Sequence, residues 1–491
     1  MPQRSYLYLA WAFAPGLASC GETEPPDLPN PSSSSGADPS PDPEWSLGDA
    51  PIIAPQVQVH PQVATVLEVT WTQTTASERT WLEYSFEDDE WHLSPARAGH
   101  VGPHREAVLG VPADTQVQIR IVMETAGVYR RTGDATAATG SLPRGMPRPR
   151  VVEYFPGLAS HERYLLGSVD GMEPYGHPYD GPFWLYVVDR RGRVVWYYSD
   201  LGSGATMAFP RVAPAGTHVV VEKRMFGAGQ YAPRLLEIAL DGSYSREIPV
   251  PGLDDSFDLT DWGTVLFNTW SRDGEAALRE QGPDGTSRII WDCRRWAGPL
   301  GILHQSHCYS NTVAWNRADD TVTMSMPYIN TAVEVDRVSG ELVGQYGDAP
   351  YSYGFDPDSW SFEFNHYVNI TPDGTLLVSS HMPGHGPTEI PGDHAFVEFT
   401  IDRDQERLVE RWAYHGRPEW AMYKGMAMRL ANGNTLANYG TGGVIREITP
   451  DKRTAWEIVW DVEHDKPHVK RMVGHNVLVD DLYALSQGPV Q

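Results

Sequence analysis

The sequence predicts an all-β protein in which a six-bladed β-propeller follows a small β-sandwich. Two observations lead to this fold class. The chain of 491 residues contains 46 Gly, 40 Pro, 17 Trp and 23 Tyr, a composition typical of many short strands joined by tight turns. A turn followed by an apolar strand also recurs at a similar interval, which is the signature of a repeat architecture. The length predicts two or three domains.

The repeated turn ends on threonine and leads directly into an apolar strand. A second hairpin lies between successive turns, and it often ends in a tryptophan such as Trp196, Trp412 or Trp456. Two hairpins in roughly 50 residues make one four-stranded propeller blade. The turns are Gly216-Thr217, Gly263-Thr264, Asp320-Thr321, Gly374-Thr375 and Asn434-Thr435.

Five such turns and an opening hairpin at 183–198 predict six blades within residues 150–491. The opening hairpin lacks inner strands of its own. We expect the stretch 163–169 and the C-terminal stretch 473–485 to complete that blade, because closure between the two chain ends removes the open edges of the sheets.

Residues 51–143 contain shorter runs in which apolar and polar residues alternate, at 66–71, 82–86 and 116–122. A period of two predicts half-buried strands. The spacing of Trp71 and Tyr84 resembles that of a fibronectin type III module, a β-sandwich that spaces or docks domains. We therefore expect a fibronectin-III-like sandwich with a structural role.

The N-terminus predicts export. Residues 1–20 carry Arg4 and a short apolar run, and they end in Leu17-Ala18-Ser19-Cys20, which resembles the lipobox of bacterial lipoproteins. That resemblance implies lipidation of Cys20 and a membrane-anchored protein of the cell envelope, in the periplasm or at the outer membrane. The Pro- and Ser-rich stretch 21–50 predicts a disordered tether. The lipid is the only membrane contact we expect, since no other stretch is apolar enough to span a bilayer.

Charge and cysteine content narrow the partners and the compartment. The formal net charge of −26 opposes binding to nucleic acid, so an anionic substrate requires a local positive site. Cys293 and Cys308 flank a turn-forming segment. In an oxidising compartment they are expected to form a disulfide; two unpaired thiols in the core are the alternative.

In a propeller, the segments that enter the innermost strands meet at one mouth of the central channel. Histidine recurs in these segments, at His304, His307, His366 and His475, while His381 ends the next strand and His394 lies in a long loop. Imidazole is suited to proton transfer, nucleophilic attack and metal ligation. The converging segments are 207–210, 256–258, 304–311, 365–366, 423–424 and 475–476.

Three stretches, at 307–337, 364–377 and 432–456, resemble the bacterial arylsulfate sulfotransferase family, and the similarity extends over most of 160–485. The resemblance implies a six-bladed propeller that transfers a sulfuryl group between phenolic compounds with no nucleotide donor, cofactor or metal. In the family a histidine attacks sulfur and becomes transiently sulfated, while an arginine and further histidines bind the sulfate oxygens. This chemistry divides the transfer into two easier steps.

The family pattern carries over incompletely. Tyr309 falls where the family has its nucleophilic histidine, the family arginine falls on Pro327, and an earlier His-His-Asp segment reads 256–258 here, Ser-Phe-Asp. Either His307 takes the place of the nucleophile, or the transfer chemistry has been lost. The enzyme hypothesis assigns catalysis to His307, His366 and His475, and substrate binding to Tyr309, Asn311, His381 and Lys424.

Two other hypotheses are compatible with the sequence. The chain is alternatively a non-catalytic, lipid-anchored propeller that binds a ligand or partner protein through loops rich in Trp and Tyr, such as 351–353 and Trp360. The third hypothesis is a metal site among the channel histidines, which no compact ligand motif supports.

Overall fold

Almost all regular secondary structure among the described residues is β-strand, in agreement with the predicted all-β class. The predicted signal peptide, with Cys20, lies outside the described residues, and so does most of the tether. The computed structural model describes residues 45–46, 51–87, 90–170, 183–200, 206–224, 233–270, 276–302, 304–381, 394–416, 421, 423–460 and 471–488.

Two facing sheets form the N-terminal β-sandwich. One sheet contains β2, β3 and β7, and the other has the order β1-β9-β8-β4-β5, with β6 on β4 and β10 on β8. Val69 and Trp71 of β3 share a buried cluster with Tyr84 of β4 and Ile119 of β8. The strands here are β1 (Trp45–Ser46), β2 (Ile52–Val59), β3 (Leu67–Gln73), β4 (Ser77–Ser85), β5 (Trp91–Leu93), β6 (Arg97–Gly99), β7 (Gly102–Val108), β8 (Gln116–Thr125), β9 (Val128–Arg131) and β10 (Ala135–Ala138).

One part of the predicted tether is ordered. Trp45 and Ser46 form β1, which pairs in parallel with Tyr129 and Arg130 of β9. The prediction of disorder to residue 50 was therefore wrong at these two positions, because an edge strand of the sandwich gives this short segment backbone hydrogen bonds.

The remaining strands form six sheets within the described residues. They are β11 (Arg150–Tyr154), β12 (Tyr164–Asp170), β13 (Phe183–Asp189), β14 (Val194–Ser199), β15 (Arg211–Val212), β16 (Val219–Lys223), β17 (Arg234–Ile238), β18 (Ser245–Pro249), β19 (Phe257–Leu259), β20 (Val265–Trp270), β21 (Ala276–Gln281), β22 (Ser287–Asp292), β23 (Val313–Asn316), β24 (Thr321–Met326), β25 (Thr331–Asp336), β26 (Leu342–Gly347), β27 (Gly354–Phe355), β28 (Glu363–Ile370), β29 (Leu376–His381), β30 (His394–Asp402), β31 (Arg407–Tyr414), β32 (Gly425–Arg429), β33 (Thr435–Tyr439), β34 (Val444–Ile448), β35 (Thr454–Val459) and β36 (Val473–Val479).

Each of these sheets is built on four antiparallel strands. Five follow chain order, as β15–β18, β19–β22, β23–β26, β28–β31 and β32–β35, and the sixth has the order β36-β12-β13-β14. Strands β11 and β27 add a fifth, outer strand to two of them. The innermost strands contact one another in succession, from β19 to β23, β28, β32, β36 and back to β15. Strands arranged in this way around a common axis make the body a β-propeller.

The two ends of the propeller chain close the ring. The C-terminal strand β36 pairs with β12 and places Leu478 opposite Leu165, which confirms the predicted closure. Gly474 allows the close approach, since a Cβ atom at this position would collide with the Ala208 carbonyl oxygen of the neighbouring sheet. A side chain at residue 474 would therefore force these two sheets apart.

A buried glutamate links each of four sheets to the next one. The turn residue of the repeat donates to this carboxylate at 2.6–2.8 Å, and an arginine of the following sheet pairs with it. At the fifth turn Asn434, rather than Thr435, makes the bond. The turn residue, glutamate and arginine are Thr264, Glu280 and Arg337; Thr321, Glu334 and Arg403; Thr375, Glu398 and Arg429; and Asn434, Glu447 and Arg190.

In the part of the chain that the structure describes, helical structure is confined to short segments. The helix α1 (Cys293–Ala297) begins after Asp292, whose side chain accepts hydrogen bonds from the first backbone amides. Single 3₁₀ turns occur at Gln305–Cys308, Pro327–Ile329, Gly440–Gly442 and Ala484–Ser486. The predicted disulfide joins Cys293 to Cys308 and so ties α1 to the turn before Tyr309. Among the described residues, no helix has the length and apolar character needed to cross a membrane.

The sandwich packs on the closing sheet of the propeller. The backbone amide of Ala64 donates to the Tyr197 hydroxyl at 2.8 Å, and the Tyr483 hydroxyl donates to the Ala107 carbonyl at 3.1 Å. Val63 and Leu109 join the same buried cluster as the propeller core. Residues 45–491 therefore form one compact unit.

The glutamate links predict a large loss of stability from a single charge-removing substitution. Glu447→Gln leaves Arg190 buried without its carboxylate, since the two side chains are 0% and 7% exposed. We expect the free energy of unfolding, measured by urea denaturation, to fall by about 3 kcal/mol or more. Asp373→Asn removes an exposed partner of Arg411 and should cost at most about 1 kcal/mol. Equal losses for the two variants would contradict a structural role for the buried link.

Candidate functional site

The innermost ends of the six sheets enclose a cavity of about 70 Å³. This volume suits several water molecules or one small polar group, and it is well below the roughly 300–1,000 Å³ of a typical pocket for a drug-sized ligand. Every sheet contributes to the wall. The lining residues are Phe209, Asp255, Tyr309, Asn311, Tyr328, Phe364, His366, Tyr423, Lys424 and His475.

Two of these lining residues have an unusual backbone conformation. Lys424 has φ +64° and Phe364 has φ +48°, in the left-handed region that non-glycine residues rarely adopt. Gly440 supports the first of them, because a Cβ atom at this position would collide with the Tyr423 carbonyl oxygen. The segment 423–424 is thereby held against the Gly440–Gly442 turn, and Lys424 lines the cavity.

Charged groups of both signs line the cavity or lie next to it. The guanidinium of Arg224 donates to Asp255 Oδ1, and the Tyr309 hydroxyl donates to Asp255 Oδ2. The Nζ atom of Lys424 lies 4.5 Å from the centre of the Phe209 ring. Lys424 and Asp255 are 8% and 7% exposed, so these charges interact through a medium much less polar than bulk water.

Burial changes the proton affinity of this cluster. Removal from water lowers the pKa of Lys424 to about 8, although the nearby Asp255 carboxylate acts in the opposite direction. Burial alone would raise the pKa of Asp255, but Arg224, Lys424 and the Tyr309 hydroxyl outweigh it and hold that pKa below its ordinary value. Asp255 is therefore a carboxylate at neutral pH, and Lys424 is a cation that can lose its proton near neutrality.

Two further carboxyl groups lie behind the wall. Glu222 accepts hydrogen bonds from the backbone amides of Ala208 and Phe209, at 2.6 and 2.8 Å. Burial raises the pKa of Glu222 to about 7, and burial together with the charge of Asp255 raises the pKa of Asp254 to about 7. The net charge of the cluster therefore becomes more positive as the pH falls below 7.

Both histidines of the cavity are fixed through Nδ1. The Nδ2 atom of Asn311 donates to Nδ1 of His366 at 3.1 Å. The guanidinium of Arg211 lies 3.3 Å from Nδ1 of His475, and a guanidinium can only donate. Burial, followed by the charge of Arg211, lowers the pKa of His475 well below its ordinary value. Each ring in its neutral form thus carries its proton on Nε2 and acts there as a donor.

The mouth of the cavity is aromatic. Tyr328 is 52% exposed, and its ring meets that of Phe364 edge to face at a centroid separation of 5.3 Å. The ring of Tyr309 lies 6.0 Å from that of Tyr328. These rings give the entrance a broad apolar surface directly above the polar cavity.

Five of the seven predicted site residues meet in this cavity, namely Tyr309, Asn311, His366, Lys424 and His475. His307 does not line it; the 3₁₀ turn directs its ring against His304, at a centroid distance of 5.4 Å. His381 is buried behind the wall, with its ring 5.7 Å from that of His366.

One detail of the sequence interpretation requires correction. His394 begins β30 and pairs with His381, so it does not lie in the loop where it was expected. Pro327, which aligned with the family arginine, begins the 3₁₀ turn that carries Tyr328 and supplies no charge.

Several functional groups escaped the sequence interpretation. Asp255 lies one residue before the predicted segment 256–258 and Phe364 one residue before 365–366, whereas Tyr328 lies in none of the predicted converging segments. Glu222 stands near the end of the apolar strand β16. Charged residues within an otherwise apolar strand were a usable signal, since such groups are seldom buried without a partner or a function.

Two larger cavities lie outside the channel among the described residues, and one of them, of about 500 Å³, lies beside Tyr84, Trp91 and Arg163. The other, of about 730 Å³, lies at the outer edge of the propeller beside Phe155, Tyr414 and Lys452, where Lys452 is exposed. Within the described ranges, no three His, Cys, Asp or Glu side chains are arranged to hold a metal ion.

Comparison with known proteins identifies no family. No protein-family model matches the chain, and no curated protein matches it. Similar solved structures include TolB from Acinetobacter baumannii, at 10% identity and a TM-score of 0.40 over 75% of this chain and 80% of that one. A virginiamycin B lyase from Staphylococcus aureus matches at 11% identity and a TM-score of 0.38, over 64% and 89%. The periplasmic gluconolactonase PpgL from Pseudomonas aeruginosa matches at 12% identity and 0.37, over 64% and 99%.

The buried ammonium predicts that Lys424→Met stabilises the protein. With a pKa of about 8 in the folded chain against 10.5 unfolded, the charged form costs about 3 kcal/mol, at about 1.4 kcal/mol per pKa unit. We expect the variant to gain up to that amount in free energy of unfolding at pH 7. Between pH 8 and 10.5 the unfolded wild type binds more protons than the folded protein, so the wild type recovers stability and the gain shrinks.

Urea denaturation across this pH range is the measurement. Lys452→Met is the matched control, because Lys452 also has a positive φ, +69°, but is exposed. A Lys424→Met variant that is less stable than the wild type at pH 7 would mean that the ammonium is a structural ion-pair partner.

Proposed function

We propose that this protein transfers a sulfuryl group between phenolic compounds at the six-sheet cavity. The observation that carries the proposal is the buried ammonium of Lys424, which lines the same small cavity as the two Nε2-protonated histidines His366 and His475. Such a set of donors suits a compact tetrahedral anion. A chain with a net charge of −26 requires a local positive site of this kind to attract one.

The donors are arranged before the substrate arrives. Asn311 and Arg211 fix the two imidazole rings, so these rings do not need to reorient when negative charge develops on the sulfuryl oxygens. Fixed donors in a site that excludes water stabilise such charge more strongly than water does. This is the electrostatic requirement of sulfuryl transfer, in which the reacting group itself is anionic.

The aromatic mouth favours an aryl substrate over an alkyl one. A cavity of about 70 Å³ can take the sulfuryl group but not a ring beside it. The aryl ring would then rest against Tyr328 and Phe364 at the entrance, where edge-to-face contacts contribute about 0.5–1.5 kcal/mol each. The aryl oxygen would lie between the mouth and Lys424.

Lys424 is suited to moving the phenol proton. A group whose pKa is about 8 can donate a proton to a leaving phenolate and accept one from an incoming phenol, since the best acid–base catalysts have a pKa near the working pH. The charge of Asp255 raises the pKa of Lys424, and the charge of Arg224 lowers it.

The number of blades, the type of sandwich and the export of the protein are also part of the proposal. We take the six sheets as six blades, and the three-stranded sheet β2-β3-β7 facing a sheet built on β4, β8 and β9 supports a fibronectin-III-like sandwich. The disulfide between Cys293 and Cys308 favours export to an oxidising compartment. A lipid on Cys20 would hold the protein at the envelope membrane.

The assay is release of a coloured phenol from an aryl sulfate in the presence of a second phenol. We expect turnover with no added nucleotide or metal. Lys424→Met should lower kcat/KM at least about 100-fold, the usual effect of removing one preorganised donor, while Lys452→Met should leave it unchanged. No phenol release from the wild type across a panel of donors would favour the non-catalytic binding propeller instead.

A further inference from the structure

We infer that Tyr309 is the nucleophile that accepts the sulfuryl group, and that Asp255 is the base that removes its proton. This inference rests on the proposed function and assigns the covalent step to named atoms. It arises from the juxtaposition of a phenol and a buried carboxylate in the wall of the cavity, with the Tyr309 hydroxyl donating directly to Asp255 Oδ2.

The carboxylate is held in position for this task. The guanidinium of Arg224 donates to Asp255 Oδ1, which leaves Oδ2 directed at the phenol. Arg224 is itself 4% exposed and does not line the cavity, so it is a positioning residue. A nucleophile bonded to a base, with that base oriented by a third group, is the general arrangement of activated nucleophiles.

The histidines of the cavity are less suited to attack. Nucleophilic attack requires a nitrogen with an available lone pair. Nδ1 of His366 receives the amide donor of Asn311, and Nδ1 of His475 receives Arg211, so in both rings Nε2 carries the proton. They bind the sulfuryl oxygens and cannot attack from Nε2 without first losing that proton.

In the first step the Tyr309 oxygen attacks sulfur. The bond between Tyr309 Oη and sulfur forms as the bond between sulfur and the aryl oxygen of the donor breaks. The phenolic proton passes to Asp255 Oδ2, and the departing aryl oxygen takes a proton from the ammonium of Lys424. The products are a free phenol, a sulfated Tyr309, a protonated Asp255 and a neutral Lys424.

The second step reverses these movements with the acceptor. The acceptor phenol gives its proton to the Lys424 amine as its oxygen attacks sulfur. The bond from sulfur to Tyr309 Oη breaks, and Tyr309 recovers its proton from Asp255. No oxidant, reductant or additional reactant is needed, and every group returns to its starting state.

One chemical consideration supports Tyr309 as the nucleophile, and a second constrains when its proton leaves. Tyrosine is a phenol, so its sulfate ester is of the same chemical class as the donor and the product, and neither transfer is strongly uphill. Removal from water and the facing carboxylates raise the pKa of Tyr309 well above its ordinary value. The phenol is therefore protonated in the resting site, and since the pKa of Asp255 is held below its ordinary value, the proton passes to Asp255 only as the bond from Tyr309 to sulfur forms.

The test is to incubate the wild-type protein with a chromogenic aryl sulfate and no acceptor, and then to map the modified peptide by mass spectrometry. We expect one phenol released per protein molecule in a burst, and one sulfuryl group on Tyr309. Tyr309→Phe should lose the burst and at least about 100-fold in turnover, as expected on removal of a nucleophile. Asp255→Asn should lose a similar factor in the burst rate yet still bind an aryl sulfonate, a donor mimic that cannot react.

Tyr351→Phe is the matched control, because Tyr351 is 90% exposed and lies outside the cavity; its burst should equal that of the wild type. A sulfuryl group on His366, or a full burst from Tyr309→Phe, would overturn the assignment of Tyr309 while leaving the transferase proposal intact. If the wild type releases no phenol from any donor, both proposals fail.

Discussion

The spacing of the propeller depends on a carboxylate buried between one sheet and the next. Glu334 is an example: it accepts from Thr321 of its own sheet and from Tyr346, and it pairs with Arg403 of the following sheet. A buried carboxylate is tolerated only when its oxygens are satisfied. The position that satisfies them therefore fixes the distance between the two sheets, and the repetition of this link contributes to a closed ring.

The cavity inherits its geometry from that ring. Phe209, Asp255, Tyr309, His366 and Lys424 come from five different sheets, and closure of the chain ends through β36 adds His475. A small change in the spacing of two sheets would separate donors that must converge on one group. The glutamate links between sheets and the residues that line the cavity therefore depend on the same spacing of the sheets, although they lie at opposite ends of the strands.

Buried charges have stabilising partners in the glutamate links, whereas burial destabilises the charged forms of several groups around the cavity. In the links, each glutamate has a guanidinium and a hydroxyl or amide partner, which favours stability. Around the cavity, Lys424 is destabilised as a cation by burial, and the pKa values of Glu222 and Asp254 rise to about 7. Such strain is expected where binding or catalysis, rather than folding, has determined the side chains.

Some of these features could be predicted from the sequence. The threonine turns revealed the repeat because a tight turn and an apolar strand are local signals, and chain closure followed from the missing inner strands. The sequence did not predict that threonines of these turns donate hydrogen bonds to buried glutamates, since each link also depends on a glutamate and an arginine far away in sequence. An additional signal was available in the recurring Val/Ile-Asp-Arg triplets at 188–190, 335–337 and 401–403.

The sequence predicted which chain segments reach the cavity, but it did not predict which side chains of those segments point into it. His307 and Tyr309 lie two residues apart, and only the 3₁₀ turn that ends at Cys308 determines which of them faces the cavity. Asp255 was missed by one residue, because the start of an inner strand cannot be located that closely from an apolar pattern. The orientation of loop residues depends on contacts from other sheets, which a sequence pattern does not contain.

The central claim, that the converging sheet ends form a site for an aryl-linked tetrahedral anion, is tested most directly by a crystal structure with an unreactive aryl sulfonate. The account predicts that the sulfonate oxygens lie within hydrogen-bond distance of Lys424 Nζ and His366 Nε2, that the sulfur atom faces the Tyr309 hydroxyl oxygen, and that the aryl ring lies against Tyr328. A sulfonate bound elsewhere while this cavity holds only water, or Lys424 turned away from it, would contradict the account.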